Sequence, residues 1–144
     1  MIVVADTSGI IASVDRSSAD HTGARRVMDT AGLVVIPPPV LAELDHLVGS
    51  RWGKEASGTL LDRLLGEVRR GRYALADAGL EVLQEARRVQ RRYRELRLDL
   101  CDAVVVALAR EYATDMILTL DRKDFRTLRP LSGPLAFRLL PDDL

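Results

Sequence analysis

The sequence predicts an α/β fold in which a central parallel sheet is covered by helices on both faces. The 144 residues are 47% hydrophobic and 29% charged, which is the length and composition of a single globular domain. Short runs of continuous apolar residues alternate with longer segments of helical periodicity. Strands without polar alternation, separated by helices, are typical of parallel sheets buried between helical layers. We expect residues 1–144 to form one such domain.

The first strand and the two helices after it follow from local residue types. Ile2–Ala5 is apolar and mostly β-branched, too short for a helix and typical of a buried strand. Thr7 or Ser8 is expected to cap the first helix, since short hydroxyl side chains accept hydrogen bonds from free N–H groups at a helix start. A second helix is expected to begin at Ser18 or Asp20 and to end near residue 30.

A second strand and two more helices complete the first half of the chain. Leu33–Ile36 is another short apolar run, ended by three consecutive prolines at positions 37–39. From Val40 to Val48, apolar side chains recur at i, i+1, i+4, i+7 and i+8, which predicts a helix with one apolar face. A further amphipathic helix is expected over residues 53–70.

The second half repeats the alternation of strands and helices. Tyr73–Ala76 is a short strand, after which Asp77 is expected to cap a long helix that reaches about Arg94. Asp99 is expected to cap the next helix, which runs from residue 100 to residue 112 and is apolar almost all round. The last expected elements are a strand at Met116–Leu120, a short helical turn over 122–128 and a strand at Phe137–Leu140.

Composition excludes several classes of protein. A single cysteine, Cys101, excludes an internal disulfide and a zinc site built from cysteines. The amino-terminal residues lack a basic leader, and no stretch approaches the ~18 continuous apolar residues of a membrane span. We therefore expect a soluble cytoplasmic protein with no membrane partner.

Charge is balanced over the whole chain and uneven along it. Lys and Arg total 21, and Asp and Glu also total 21. The basic excess, almost all arginine, lies within residues 51–97, and both flanking thirds are acidic. The zero net charge is a cancellation between segments, so it does not exclude a nucleic-acid partner.

Three aspartates stand where a ligand site would be built. Asp6 directly follows the first strand, and Asp121 directly follows the predicted strand Met116–Leu120. Carboxyl ends of parallel strands meet at one edge of the sheet, where ligand sites lie, although either residue alone could simply begin a turn or cap a helix. Asp102 lies in the first turn of a helix among apolar neighbours, where a carboxylate is costly unless a cation or donors compensate it. Asp99 already serves as the cap of that helix.

Converging carboxylates point to a hard divalent cation. Glu43 and Asp45 lie at opposite edges of one apolar helix stripe, and periodicity does not choose between them. Carboxylates brought together repel and raise one another's pKa, and a cation removes that conflict. All-oxygen ligands select Mg²⁺ or Mn²⁺. With no Cys–His pair and no glycine-rich phosphate loop, metal-activated water is the chemistry these residues favour.

Four acidic segments follow one another along nearly the whole chain: VVADTSGIIA, PPPVLAELDHLV, DLCDAVVVALAREY and ILTLDRKDF. In this order they resemble the motifs of PIN-domain ribonucleases, most closely those of the VapC toxins of bacterial toxin–antitoxin systems. The resemblance implies a PIN-like three-layer α/β/α sandwich with a central mainly parallel sheet. It also implies an endoribonuclease that depends on Mg²⁺ or Mn²⁺, forms a homodimer through its early helices and is neutralised by a VapB-type antitoxin.

The resemblance also assigns site residues. It implies that Asp6, Glu43, Asp102 and Asp121 are the four catalytic and metal-binding acids, which selects Glu43 over Asp45. By this interpretation Asp6 and Asp102 hold the metal most directly, and the other two orient its waters. Two hydroxyl residues, Ser8 and Thr119, match small positions that line the site in similar proteins. For Asp124, a candidate fifth acid, a surface role is favoured.

Arginines crowd the end of the long helix and have two interpretations. Arg87, Arg88, Arg91 and Arg92 could contact RNA phosphates or form a solvated helix face that complements the helix dipole. Arg94 and Arg97 continue this run. Arg51, Trp52 and Lys54 could also meet RNA, although Trp52 could equally pack at a dimer interface or in the core.

Two alternatives to an active ribonuclease remain at this stage. Receiver-like phosphoacceptor modules also place acids at strand ends, but they need adjacent acids near the first strand, and here Asp6 precedes Thr7 and Ser8. The other alternative is a catalytically silent PIN domain that acts as an RNA-binding or scaffold subunit. The presence of all four acids argues for activity.

Overall fold

The computed structural model describes residues 1–144 and is built around one five-stranded sheet. The strand order is β3-β2-β1-β4-β5, and every neighbouring pair is parallel. The predicted mainly parallel sheet is thereby confirmed. The strands are β1 (Ile2–Ala5), β2 (Leu33–Ile36), β3 (Tyr73–Leu75), β4 (Met116–Leu118) and β5 (Arg138–Leu140).

Seven helices connect the strands, and a 3-10 turn at Arg94–Leu96 joins two of them. None of the helices is long and apolar enough to cross a membrane. The helices are α1 (Thr7–Val14), α2 (His21–Thr30), α3 (Pro38–Trp52), α4 (Lys54–Arg69), α5 (Leu80–Arg92), α6 (Leu100–Glu111) and α7 (Arg122–Thr127).

The helices form two layers, one on each face of the sheet. Successive strand residues point to opposite faces, so Val3 belongs to one buried cluster and Val4 to the other. The first cluster joins that face of the sheet to α1, α2, α3 and α4, and the second joins the opposite face to α5, α6 and Phe125 of α7. The predicted three-layer α/β/α sandwich is confirmed.

Several predicted boundaries are wrong by a few residues for identifiable reasons. Helix α3 begins at Pro38 and not at Val40, because proline fits the first turn of a helix, where its missing N–H has no intrahelical partner. Helix α5 begins at Leu80 with Gly79 as its N-cap residue, so Asp77 is not the cap. The cap of α6 is Asp99, as predicted, and its side chain accepts from the Asp102 N–H.

The end of β4 is the boundary that matters for the site. The strand stops at Leu118, so Asp121 does not directly follow it and is instead the N-cap residue of α7. The Leu120 N–H donates to the Ser8 hydroxyl at 2.9 Å, and the Asp121 N–H donates to the Thr119 hydroxyl at 3.0 Å. These two backbone N–H groups therefore bind side-chain hydroxyls, whereas in a longer strand they would be available to a neighbouring strand.

The carboxyl-terminal residues hold α7 against the sheet. Arg126 makes two hydrogen bonds with Asp143, at 2.6 and 2.9 Å. Arg122 donates to Asp142 at 2.9 Å and to Asp20, at the start of α2, at 3.0 Å. Two-point contacts between arginine and carboxylate fix orientation as well as distance, so the helix that follows Asp121 is positioned by the end of the chain.

Candidate active site

The carboxylate of Asp6 is buried at the carboxyl end of β1, with only 5% of the residue exposed. The Thr119 hydroxyl donates to its Oδ2 at 2.9 Å, and the Ser8 hydroxyl reaches the same oxygen at 3.4 Å. Burial raises the pKa of Asp6 to about 6, and the nearby carboxylates of Glu43 and Asp121 also raise it. Asp6 was expected to precede a cap at Thr7 or Ser8, but it is itself the N-cap residue of α1 and its side chain makes no cap hydrogen bond.

The start of α1 and the end of β4 are joined closely behind Asp6. The hydroxyls of Ser8 and Thr119 lie 3.2 Å apart. A Cβ added to Gly9 would lie 2.5 Å from the Leu118 carbonyl oxygen, so only glycine permits this approach of helix to strand. Both predicted supporting residues are therefore in contact with the first acid.

Glu43, on α3, reaches the same region from the side. The Thr7 hydroxyl donates to Glu43 Oε1 at 2.5 Å. Asp45 points elsewhere, because its carboxylate accepts from the Ser57 hydroxyl of α4 at 3.1 Å. The structure places Glu43 in the cleft and Asp45 at the contact between α3 and α4.

Asp102 enters the cleft from the first turn of α6. Its backbone N–H donates to Asp99 Oδ1 at 2.9 Å, so the cap is made by Asp99 and the Asp102 carboxylate is free of that role. Burial raises the pKa of Asp102 to about 8, and the charges of Asp6, Asp99, Asp121 and Glu43 raise it further. This carboxylate resists ionisation in the absence of a cation.

Asp121 and Asp124 come from the start of α7. The Asp124 N–H donates to Asp121 Oδ1 at 3.3 Å, and one carboxylate oxygen from each of Asp102, Asp121 and Asp124 lies within 4.8 Å of the others. Burial and the charge of Asp121 raise the pKa of Asp124. The structure thus brings Asp124 to the acids, whereas the sequence favoured a surface role for it.

One cavity of about 580 Å³ contains the four predicted acids. Arg51 is the only basic residue that lines it, and its guanidinium lies 3.5 Å from Asp15. No side chain cation therefore compensates the four acids. Mg²⁺ and Mn²⁺ prefer oxygen ligands, carboxylates above all. The four uncompensated carboxylates therefore fit a hard divalent ion.

Two residues near the acids, Thr7 and Cys101, were not among the predicted site residues. Thr7 holds Glu43, as described above. The Cys101 thiol lies within 4.8 Å of carboxylate oxygens of Asp6 and Glu43; burial first, then the charge of Glu43, raises its pKa, which keeps it a neutral thiol. No periodicity argument places Cys101 there, because neighbouring residues of a helix point in different directions.

The arginines predicted to bind RNA lie outside the cavity of the acids. Arg87 donates to Gln90 at 2.7 Å and Arg88 to Glu85 at 2.6 Å, both within α5. Arg91 lies with them in a separate surface hollow, and Arg92 is exposed at the end of the helix. Trp52 is also exposed, and the Arg51 guanidinium lies 4.1 Å from its ring centre.

The chain matches a known family along most of its length. A sequence profile of the PIN domain matches residues 3–129. The chain belongs to the PIN-domain family. Within it the chain is a VapC homologue, since it is 38% identical over 140 residues to ribonuclease VapC26 of Mycobacterium tuberculosis, covering 96% of this chain and 100% of that relative.

Solved structures share the fold of this PIN domain. VapC20 of Mycobacterium tuberculosis, a toxin that cleaves the sarcin–ricin loop, has a TM-score of 0.72 at 21% identity and covers 85% of this chain and 92% of its own. VapBC2 of Rickettsia felis, bound to a fragment of its promoter DNA, has a TM-score of 0.69 at 16% identity, with coverage of 96% and 98%. A toxin–antitoxin complex from Klebsiella pneumoniae has a TM-score of 0.61 at 13% identity, with coverage of 94% and 99%. At these identities the likeness concerns the fold.

Proposed function

We propose that this PIN domain is a metal-dependent endoribonuclease and the toxin of a toxin–antitoxin pair. The observation that carries the proposal is the cavity in which four acids from β1, α3, α6 and α7 meet without a compensating side chain cation. The identity to a ribonuclease along that relative's entire length supports the same reaction. The substrate class is RNA, and the reaction is hydrolysis of a phosphodiester bond.

The four acids are the proposed ligands of the metal, Mg²⁺ or Mn²⁺. Asp6 and Asp102 would bind it most directly, and Glu43 and Asp121 would orient its waters. When bound, such an ion lowers the pKa of a coordinated water and stabilises negative charge that develops on phosphate. The raised pKa values of Asp6 and Asp102 support this assignment, because a nearby cation would restore their ionised forms.

The protein's own contribution is to hold the carboxylates in place. Thr119 and Ser8 donate to one oxygen of Asp6, which leaves its other oxygen free of those hydroxyls. Thr7 in turn holds Glu43 through Oε1. Ligands oriented by fixed hydroxyl donors need little reorganisation when substrate arrives, and such supporting contacts tune metal affinity.

The proposed partners are a VapB-type antitoxin and a second copy of this chain. Similarity to VapBC and other toxin–antitoxin complexes supports the antitoxin. Exposed apolar side chains on the early helices support a homodimer there, since large apolar groups in water often mark an interface. They are Leu47 and Trp52 of α3 and Leu65 of α4.

Membership of the PIN-domain family removes the receiver-like alternative. A measurement of activity distinguishes an active ribonuclease from a catalytically silent PIN domain. Expression of the chain alone should arrest bacterial growth and cleave RNA, and Asp6→Asn or Asp102→Asn should abolish both effects while circular dichroism and size remain unchanged. EDTA should stop cleavage, and Mg²⁺ or Mn²⁺ should restore it. Full activity in EDTA would contradict the metal-dependent mechanism, and folded protein without cleavage in any metal would support a silent RNA-binding domain.

A further inference from the structure

Four exposed arginines at the junction of α5 and α6 form a surface that we name the basic rim. Arg91 and Arg92 end α5, Arg94 lies in the 3-10 turn, and Arg97 follows that turn. The protein makes ten ion pairs between side chains, and none of them includes these four arginines. Their charge is therefore not neutralised within the chain.

The basic rim lies on the same side of the molecule as the acidic cavity. Helices α5 and α6 are antiparallel, because Arg110 donates to Glu85 at 2.9 Å near one end of the pair and the Gln90 side chain donates to the Leu98 carbonyl at 2.9 Å near the other. The end of α5 thus adjoins the start of α6, where Asp99 and Asp102 line the cavity.

A second contact joins the basic rim to the helix of the fourth acid. The Arg129 N–H, just after α7, donates to the Tyr93 hydroxyl at 3.4 Å. Tyr93 lies between two rim residues in sequence, and the Arg92 guanidinium lies 5.7 Å from its ring centre. The basic rim therefore adjoins the start of α6, which carries Asp102, and the end of α7 that is farther from Asp121.

Arg97 occupies a backbone conformation that costs free energy. Its φ of 51° and ψ of 44° are left-handed, which disfavours any residue with a Cβ by roughly 1 kcal/mol. The conformation turns the chain so that Leu98 is buried at 7% exposure while Arg97 stays in solvent. Glycine would make the same turn without this cost, so replacing Arg97 by glycine removes the charge without disturbing the turn.

We propose that the basic rim binds the phosphate backbone of the RNA strand that enters the acidic cavity. The proposal rests on the ribonuclease function argued above and names the surface that recruits its substrate. Four carboxylates repel a polyanion, and one divalent cation would neutralise only part of their charge, so a cationic surface beside them favours binding. Unpaired arginines supply it, because guanidinium binds phosphate oxygens at two points and releases counterions. An acidic protein segment is the less favoured ligand, since it would bring further carboxylates, and no phosphodiester for hydrolysis, to the four acids.

The proposal changes the assignment made from the sequence. Arg87 and Arg88 are engaged with side chains of their own helix, and they lie farther from the start of α6 than Arg91 and Arg92 do. Arg94 and Arg97 take their place, because both lie in the segment that joins α5 to α6, and Arg97 stands two residues before Asp99, which lines the cavity. We expect Arg94 and Arg97 to contribute more to RNA binding than Arg87 and Arg88 do.

Binding is measured in the Asp6→Asn background, so that RNA is not cleaved, with a fluorescent single-stranded RNA at several salt concentrations. Arg94→Gln combined with Arg97→Gln should weaken binding about tenfold and reduce the slope of log K against log salt by about 0.7 per lost phosphate contact. The matched control is Arg26→Gln with Arg69→Gln, two exposed arginines that make no ion pair and do not line the cavity. The control should bind RNA as the parent does.

Cleavage in the Asp6 wild-type background gives an independent measurement. A dinucleotide has a single phosphodiester, which the acids would occupy, so no second phosphate remains for the basic rim. The rim variant should therefore cleave a dinucleotide at the parent rate and cleave a longer RNA with a lower kcat/KM. Arg97→Gly should lose RNA affinity while its Tm stays the same or rises, which separates binding from folding.

The proposal would be overturned if the rim variant bound RNA as the parent does, or if the control variant lost as much RNA affinity as the rim variant. It would also be overturned if poly-glutamate of equal charge displaced the RNA, because that result would assign the surface to acidic proteins. A parent protein that binds RNA through the rim in every metal tested, yet never cleaves it, would instead contradict the proposed ribonuclease function and leave the rim assignment standing.

Discussion

Replacing Asp6 by asparagine should stabilise the metal-free protein at neutral pH. The buried carboxylate of Asp6 has a pKa raised from 3.8 to about 6, so its ionised form is less favourable in the folded state than in the unfolded chain. The contribution of Asp6 to stability is therefore fully present below pH 3.8 and is lost as pH rises through about 6. Asparagine has nearly the same shape and carries no charge to bury.

The expected gain follows from the size of the pKa difference. Each pKa unit corresponds to 1.36 kcal/mol, so a rise from 3.8 to about 6 gives about 3 kcal/mol at pH 7.5. Asp6 is only 5% exposed, so solvent screening reduces this value little. For a domain of this size the gain corresponds to a rise in Tm of roughly 6–12 °C.

Thermal unfolding in EDTA at pH 4 and at pH 7.5 measures the effect. Asp6→Asn should match wild type at pH 4 and exceed it at pH 7.5, and added Mg²⁺ should narrow the gap by stabilising only wild type. The control is Asp62→Asn, which changes an exposed aspartate on α4 that lies outside the cavity. A gain of equal size at both pH values, or no gain at pH 7.5, would refute the reasoning that burial destabilises the Asp6 charge.

Three further changes test other parts of the site. Thr119→Val removes the 2.9 Å hydrogen bond to Asp6 and should weaken Mg²⁺ binding by about tenfold, measured by calorimetry; unchanged affinity would argue against a positioning role. Gly9→Ala puts a Cβ 2.5 Å from the Leu118 carbonyl oxygen and should lower the free energy of unfolding by about 1–3 kcal/mol in a urea titration. Asp102→Asn should abolish RNA cleavage but leave RNA affinity equal or higher, because one repelling charge is lost; retained cleavage would remove Asp102 from the proposed ligands.

Strand positions were predictable because burial on both faces leaves a strong sequence signal. Ile2–Ala5 and Leu33–Ile36 are continuous apolar runs and have the predicted bounds. Strand β4 is shorter than predicted because apolar character continues through Leu120 while its backbone N–H binds a side chain 112 residues away. A contact of that sequence separation leaves no local pattern.

Some of the acids could also be predicted from local sequence, and others could not. Asp6 was predictable from its place after a strand, and Asp102 from its apolar surroundings on a helix. The choice of Glu43 over Asp45 needed the family resemblance, because a helix stripe has two edges and the chemistry of both residues is the same. The approach of Asp124 to Asp102 was not predictable, since it depends on how α7 is held against the sheet.

The hold of Asp142 and Asp143 on α7 makes the position of the fourth acid sensitive to salt. These contacts join side chains that are partly exposed, and salt screens the attraction between exposed charges. Asp6 and Asp102 are carried by the end of β1 and by α6, whose apolar residues are packed in the two buried clusters. We expect high salt to loosen α7, and Asp121 with it, while Asp6 and Asp102 keep their places in the cavity.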